Sequence, residues 1–600
     1  MPVSNYATPG VYIDEISTLP PSIVQGSTAI PAFLGYTKVV PKNSDTDDIV
    51  PIRISSMLEY KQIFGGPDQT RFNVTIKDNA EKPVATVVEP RHKLYYALDL
   101  FFKNGGSFCY ILSLGSHTAE KEKIRFEDGI KALAKEEEPT LIVLSEACSL
   151  GTVDYYSLCS TALDHCKKFK NRFCIIDVLK KVDGGEAADV VFRSAIGANN
   201  LKSGAAYYPF LKTSLSYVVE DTDVTVIDTR TAIPLTDAVI AANKKLDLAE
   251  KAKNDAEAAV TIAEKAEKEA KTKTAQAITK EQAAIESLNA ATASEATAKQ
   301  KAAAASDDEK EALNELAKTA TVKKDAAAAA AKKATAEKQA ALDVSSKLEK
   351  ATIDQTVISN SATAVWNTAM QVREQLVNKE TNLDSFKARD SALYSKIKLE
   401  LNDLKFRVEL PPSPAIAGVY ATVDNERGVW KAPANVSLNA VIGPLEKITA
   451  EAQQDLNVDT TSGKSINAIR SFTGRGTIVW GARTLAGNDN EWRYVSVRRL
   501  FNMIEDSAAK ATFFAVFEPN DSGTWLKVKS MIESFLYNLW QQGALAGSTP
   551  KSSYFVNVGL GSTMSTQDIL EGRMIIDIGI AAVRPAEFIV LRFSHKLQEA

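Results

Sequence analysis

Between Gly204 and Gly418 the chain contains no glycine, and between Tyr217 and Trp366 no aromatic residue. Over residues 241–350 roughly a third of the positions are alanine, and most of the rest are Lys, Glu, Asp, Gln or Thr. Such a stretch cannot build a core of its own, because little in it buries apolar area against the entropy of ordering. It can build a long solvated helix, since alanine has the highest helix propensity. Ala256, Ala259, Ala263, Ala266 and Ala270 alternate spacings of three and four, and Ala277, Ala284 and Ala291 extend the seam. Small residues at those positions let two helices approach closely. Ser306-Asp307-Asp308-Glu309 has capping-box spacing and marks the start of a second helix. We expect an antiparallel helical hairpin over residues 236–410 with its tip near 302–308. Its outgoing arm would reach on the order of 100 Å, and its return arm would be broken near Ser359-Asn360-Ser361. A disordered linker of the same composition is the competing reading. Pro234 and Pro411 bracket the segment, which reads as an insertion between two parts of one globular body.

The flanking regions read as mixed α/β and multidomain, since 600 residues exceed what one core organises. Residues 1–28 look like an extended arm: Pro9-Gly10 punctuates it, Val11-Tyr12-Ile13 is strand-like, and Pro20-Pro21 ends it. Residues 29–90 begin the globular body with the strand PAFLGYT and then turn polar and turn-rich. Residues 91–235 form an α/β region. It has a helix over 92–103, strands over 108–112 and 141–144, a helix over 154–169, a strand over 173–177, and another strand within 205–219. That alternation predicts right-handed crossovers in a mostly parallel sheet.

Residues 411–585 return to ordinary composition, with strands expected over 478–480, 512–517, 554–558 and 575–583 and helices over 492–507 and 523–545. Residues 586–600 form a last segment in which Phe588, Ile589, Val590 and Leu591 are followed by Phe593, a strand signature. A strand there needs an edge to pair with, either in its own domain or on another copy of the chain.

The formal net charge of −4 gives no electrostatic case for nucleic acid. The start shows no Sec-type signal, and the longest apolar runs, such as 575–583, fall far short of the ~20 residues of a spanning helix. Direct membrane insertion is not expected. Five cysteines, crowded between Cys109 and Cys174 without CxxC spacing, read as reduced thiols and place assembly in the cytoplasm. The four histidines form no HxxxH pair, and His165 beside Cys166 reads as an ordinary helix pair. Ser462-Gly463-Lys464-Ser465 imitates the end of a phosphate-binding loop, but Val458 stands where that motif needs glycine. Gly474-Arg475-Gly476 is too short for a dinucleotide fingerprint. Arg493, Arg498 and Arg499 are matched by Glu491, Glu505 and Asp506 and read as a salt-bridged helix surface. No catalytic, cofactor-binding or metal-binding residue is expected, and the chain does not read as an enzyme.

Two regions carry a series of motifs. The first is Thr8-Pro9-Gly10-Val11-Tyr12-Ile13-Asp14-Glu15. The second, longer series begins with Gly428-Val429-Trp430-Lys431-Ala432-Pro433-Ala434-Asn435 and Ile469-Arg470. It continues with Gly474-Arg475-Gly476, Val479-Trp480-Gly481-Ala482-Arg483-Thr484-Leu485 and Trp492-Arg493-Tyr494-Val495-Ser496-Val497-Arg498-Arg499-Leu500. Phe517-Glu518-Pro519-Asn520, Asp568-Ile569-Leu570-Glu571-Gly572 and Arg584-Pro585-Ala586-Glu587-Phe588-Ile589 close it.

In this order the motifs resemble the contractile tail sheath proteins of phages and phage-tail-like injection systems, over residues 1–40 and 411–600. The 236–410 hairpin departs from that family's pattern. The resemblance implies a sheath-type C-terminal domain with extended N- and C-terminal strand arms, stacked as hexameric rings around an inner tube. It further implies baseplate and terminal cap proteins as partners. The particle would be a virion tail, or a tail-like particle released extracellularly or anchored. In this family neighbouring subunits exchange terminal strands, which makes Val11, Tyr12, Ile13, Phe588, Ile589, Val590, Leu591 and Phe593 the candidate arm residues. Asp568, Glu571 and Arg573 are candidates for the tube-facing surface. The alternative reading is an α/β nucleotide-binding or hydrolytic enzyme with a coiled-coil arm, which would need the phosphate loop that the SGKS stretch lacks.

Overall fold

The computed structural model describes residues 23–41, 48–77, 82–181, 185–230, 237–306, 309–377 and 380–592. They form a mixed α/β, multidomain fold that divides into two compact units. The first draws on the described residues of Met1–Arg71, Val87–Val219 and Leu401–Ala600, the second on those of Phe72–Thr86 and Glu220–Glu400.

The first unit is organised on a nine-stranded sheet. From one edge to the other its strands are Val436–Ser437, Gly476–Val479, Ile466–Phe472, Gly204–Tyr208, Phe173–Asp177, Leu141–Val143, Pro31–Thr37, Cys109–Ser116 and Pro51–Ile54. The pairings from Ile466–Phe472 across to Cys109–Ser116 are all parallel, and antiparallel strands finish both sides. Parallel strands covered on both faces read as continuous apolar runs. Phe-Cys-Ile-Ile-Asp at 173–177 is such a run, buried at every position. Leu94–Lys103 and Ser413–Arg427 cover one face through Phe101, Leu98, Ile416 and Tyr420. Lys123–Ala132, Thr152–Phe169 and Ala188–Ala195 cover the other through Phe126, Leu163 and Phe192.

This sheet joins segments from both sides of the helical insertion. Ile466–Phe472 lies beside Gly204–Tyr208, with Ile466 paired to Ala206 and Ala468 to Tyr208, so residues from before and after the insertion share one core. Parallel pairing is non-local, and hydrophobic periodicity does not say which strand becomes the neighbour. Asp177 fastens the two segments from the end of its strand. Its buried carboxylate accepts the Ser413 N–H at 2.7 Å and the Ser413 hydroxyl at 2.6 Å, at the N-terminus of Ser413–Arg427. Burial pushes this carboxyl up to about 7 even though both Ser413 bonds favour the ionised form.

A third cluster packs Val495–Thr512 against Ser522–Gln541 through Leu500, Ile504, Ile532 and Leu536, and seats Val556 of Tyr554–Val558. The strand expected over 512–517 is absent. The helix runs on to Thr512 and closes in a short 3₁₀ turn, Phe513–Ala515, because the alanines and Lys510 before it prolong the helix past the point where the apolar run begins.

In the second unit Asp237–Ala303 and Lys310–Val377 are two helices of 67 and 68 residues, packed side by side in antiparallel fashion. At 1.5 Å per residue each is about 100 Å long. Alanine stands at every seventh position from Ala242 through Ala298, and each of these is buried or half-buried. Polar groups punctuate the seam. Glu281 pairs with Lys338 at 2.8 Å, Glu295 with Lys324 at 2.9 Å, and Thr321 donates to Glu295 at 2.9 Å. These contacts fix the register of an otherwise uniform surface. The return helix ends at Val377 and passes Ser359-Asn360-Ser361 unbroken, because each side chain there is exposed or lies along a continuous helical ladder with Ser361 bonded back to Val357. Two shorter helices, Leu383–Arg389 and Ser391–Leu401, follow it. The unit also holds a four-stranded sheet ordered Glu380–Asn382, Val224–Asp228, Arg71–Ile76, Val84–Val88, where Asp228 is held by Arg230 at 2.7 Å and by Arg389.

Candidate functional site

The motifs singled out in the sequence converge at the root of the last described segment. Arg483 lies between Gly476–Val479 and Val495–Thr512, and Asn467 of the large sheet fixes its backbone. Asn467 Oδ1 accepts the Arg483 N–H at 2.7 Å, and its Nδ2 donates to the carbonyls of Arg483 and Ala206 at 2.8 and 3.0 Å. The Arg483 guanidinium, 4% exposed, reaches Glu587 in a two-pronged contact: Nε to Oε1 at 2.9 Å and Nη2 to Oε2 at 2.6 Å. Asn457 Nδ2 and the Tyr494 hydroxyl donate to the same carboxylate at 2.8 and 3.2 Å. Burial opposes ionisation of Glu587, but the bonds from Arg483 and Asn457 win and hold its carboxyl below the usual range. A planar fork on a carboxylate fixes direction as well as position. Beyond it Phe588, Ile589, Val590 and Leu591 are exposed and form no strand within the chain.

Open edges also belong to a two-stranded antiparallel sheet that packs on the third cluster. Tyr554–Val558 pairs with Ile576–Ile580 from Tyr554↔Ile580 to Val558↔Ile576. No third strand joins it among the described residues, and a lone two-stranded sheet is marginal by itself. Each strand therefore presents an unpaired row of backbone donors and acceptors.

Asp568, Glu571 and Arg573 come together in the turn before Ile576–Ile580. Arg573 Nη2 bonds Asp568 Oδ1 at 2.7 Å and also pairs with Glu571. Bonds from Ser565, then from Arg573, hold the Asp568 carboxyl down at about 2. Val11, Tyr12, Ile13 and Phe593 lie outside the described residues. Arg498, itself buried, pairs with the more exposed Glu505 at 2.9 Å along the same helix. Arg499 instead forms a buried pair with Asp424.

The phosphate-loop mimic has its own occupant. Asp459 accepts the backbone N–H groups of Thr461 and Ser462 at 3.0 and 2.9 Å, so a side-chain carboxylate fills the position a phosphate would take. His165 stacks on Phe169 and bonds Arg172, and among the described residues no group of three or more His, Cys, Asp or Glu is placed to hold a metal. No described helix is long and apolar enough to cross a membrane.

Residues 487–596 match the phage tail sheath C-terminal domain model, a stretch that contains Tyr494, the two-stranded sheet and Glu587. That stretch is similar to the C-terminal domain of contractile tail sheath proteins. Tail sheath proteins of Vibrio phage KVP40 and Enterobacteria phage T4 are each 24% identical to this chain over 185 residues, or 31% of its length. Those stretches span only 26% and 27% of the two phage proteins. The sheath fold is shared over a greater length with solved structures. The PVC sheath of an extracellular contractile injection system, in its contracted state, aligns over 98% of both chains at 24% identity and a TM-score of 0.51. A chain of the anti-feeding prophage baseplate, 6-fold symmetrised, aligns over 98% of this chain and 99% of its own at 25% identity and a TM-score of 0.50. The relatives that this chain matches are structural sheath proteins rather than enzymes.

Motif spelling alone marked Arg483, Tyr494 and Glu587, not their contact. Their signal was a charged or aromatic residue standing within each motif, which does not state who pairs with whom.

Proposed function

We propose that the chain is a force-transmitting sheath subunit that stacks as hexameric rings around an inner tube and contracts to drive that tube through a target envelope. The observation that supports this most is the open two-stranded sheet together with a tail that is anchored at Glu587 and bare over residues 588–591. An incoming strand completes such a sheet by main-chain hydrogen bonds. In this reading Phe588, Ile589, Val590, Leu591 and Phe593 of one subunit, with Val11, Tyr12 and Ile13 of another, extend the sheet of a third. The Glu587–Arg483 fork fixes where each arm departs, and the arm absorbs the change in backbone angles when rigid bodies rotate between extended and contracted packings. Asp568, Glu571 and Arg573 face the tube. Baseplate and cap proteins terminate the stack, and assembly takes place in the cytoplasm before the particle serves as a virion tail or as a released or anchored injection device. The test is co-expression with the candidate tube protein and negative-stain microscopy. Striated tubes of regular diameter support the reading; only monodisperse monomer under all assembly conditions refutes it.

A further inference from the structure

Among the described residues only two stretches expose four large apolar side chains within five positions. One is the tail, where Phe588, Ile589, Val590 and Leu591 are 72–81% exposed. The other, which the proposed function leaves unused, is the turn after Val495–Thr512, where Phe513, Phe514, Val516 and Phe517 stand out from the surface. Phe517 is fully exposed at φ +70, a backbone conformation that bulky side chains rarely adopt. Folding by itself gains nothing from holding a phenylalanine there, and strain of this kind concentrates at functional positions.

The turn is fixed beside the open sheet. Three residues beyond Phe517, Asn520 Nδ2 donates to the Arg573 carbonyl at 3.0 Å, and Trp525 Nε1 donates to Asn520 Oδ1 at 2.6 Å. Arg573 leads directly into Ile576–Ile580, at the end of the ladder where Val558 pairs with Ile576. A strand added along either edge would run toward this aromatic knob. The described part of the chain's own tail does not cover it, since residues 588–591 and the knob are both bare. Two different uncovered patches on one subunit make a heterologous contact, which closes into a ring or propagates as a helix.

We propose that the aromatic knob at 513–517 is the seat for the apolar side chains of the 588–591 segment of a second copy. The inference rests on the strand-exchange reading and adds what that reading lacks. Backbone bonding to a sheet edge is indifferent to sequence, whereas a side-chain seat fixes register and partner. Phe513 and Phe517 grip the side chains projecting from one face of the added strand while the sheet edge holds its backbone.

The test mixes two preparations of the full-length chain, one carrying Phe517→Cys and the other Ile589→Cys, assembles them and treats the particles with a short bis-maleimide. The native cysteines are buried or half-buried, and the unsubstituted chain serves as the control. A cross-linked heterodimer appearing only in the mixed particles is expected. Normal particles without that product overturn the seat while leaving strand exchange standing, whereas absence of particles from the unsubstituted chain overturns the underlying reading. A second variant, Phe513→Ser with Phe517→Ser, alters exposed residues only and should keep the circular dichroism of the parent. At least a tenfold loss of pelletable assembly is expected, and parental pelleting refutes the seat.

Discussion

Glu587 accepts the Arg483 guanidinium through both carboxylate oxygens, at 2.6 and 2.9 Å, across 104 residues of sequence. This contact divides the last segment into an anchored root and a bare tail, and it places the division at a single side chain. Because Arg483 is buried, losing its carboxylate leaves an uncompensated charge. Glu587→Ala should therefore destabilise the folded subunit by about 2–3 kcal/mol, less than the ~3–5 kcal/mol of a fully buried pair because Glu587 keeps some solvent contact. Urea melts of the unassembled subunit measure it, and a change below about 0.5 kcal/mol contradicts the anchor.

The same carboxyl has a sign in pH. Its folded pKa is depressed, so its contribution is fully present above the ordinary glutamate range and is lost as pH falls through the folded value. Glu587→Gln should thus approach the parent in stability under acid and fall away from it toward neutral pH. A constant difference from acid to neutral would contradict this.

Asp177 behaves in the opposite sense. Burial raises its carboxyl to about 7, so its contribution is fully present below the unfolded range near 4 and is lost as pH rises toward 7. The span corresponds to on the order of 4 kcal/mol. Asp177→Asn should be least stable relative to the parent near pH 4 and should close the gap by pH 7, read from thermal melts across that interval. A gap that widens with pH would show that the ionised carboxylate is the stabilising form at the N-terminus of Ser413–Arg427.

The alanine seam makes a local prediction. Ala270 is buried between the long helices, and Ala270→Leu should overpack the seam at a cost of about 1–3 kcal/mol. Hydrogen exchange should quicken in Asp237–Ala303 and Lys310–Val377 and stay unchanged in Val495–Thr512. Removing residues 246–369 through a short linker should leave assembly intact, because the one aromatic residue in that stretch, Trp366, is half-buried under Lys253 and no exposed aromatic anchor remains there. Failure of that variant to assemble would make the hairpin a strut.

Much of this architecture was legible in local pattern. The runs at 173–177 and 554–558 became strands with those limits, and alanine spacing announced the paired helices before any contact was known. What escaped was non-local. Nothing in Ile466–Phe472 says that it lies beside Gly204–Tyr208, and nothing in the spelling of Arg483 or Glu587 names the other. The stretch 512–517 misled because aromatic and β-branched residues carry strand propensity, while the helix before it set the backbone. Its exposed phenylalanines violate the ordinary burial rule, and such violations gather where a surface has a partner.

Sedimentation of the chain truncated after Glu587 tests the central claim most directly. Truncation there keeps the Arg483 contact and removes the exposed residues 588–591 with the residues after them, so the account predicts a folded subunit with parental circular dichroism that stays in the supernatant under conditions where the full chain pellets as tubes. Tubes of parental yield from the truncated chain would contradict it.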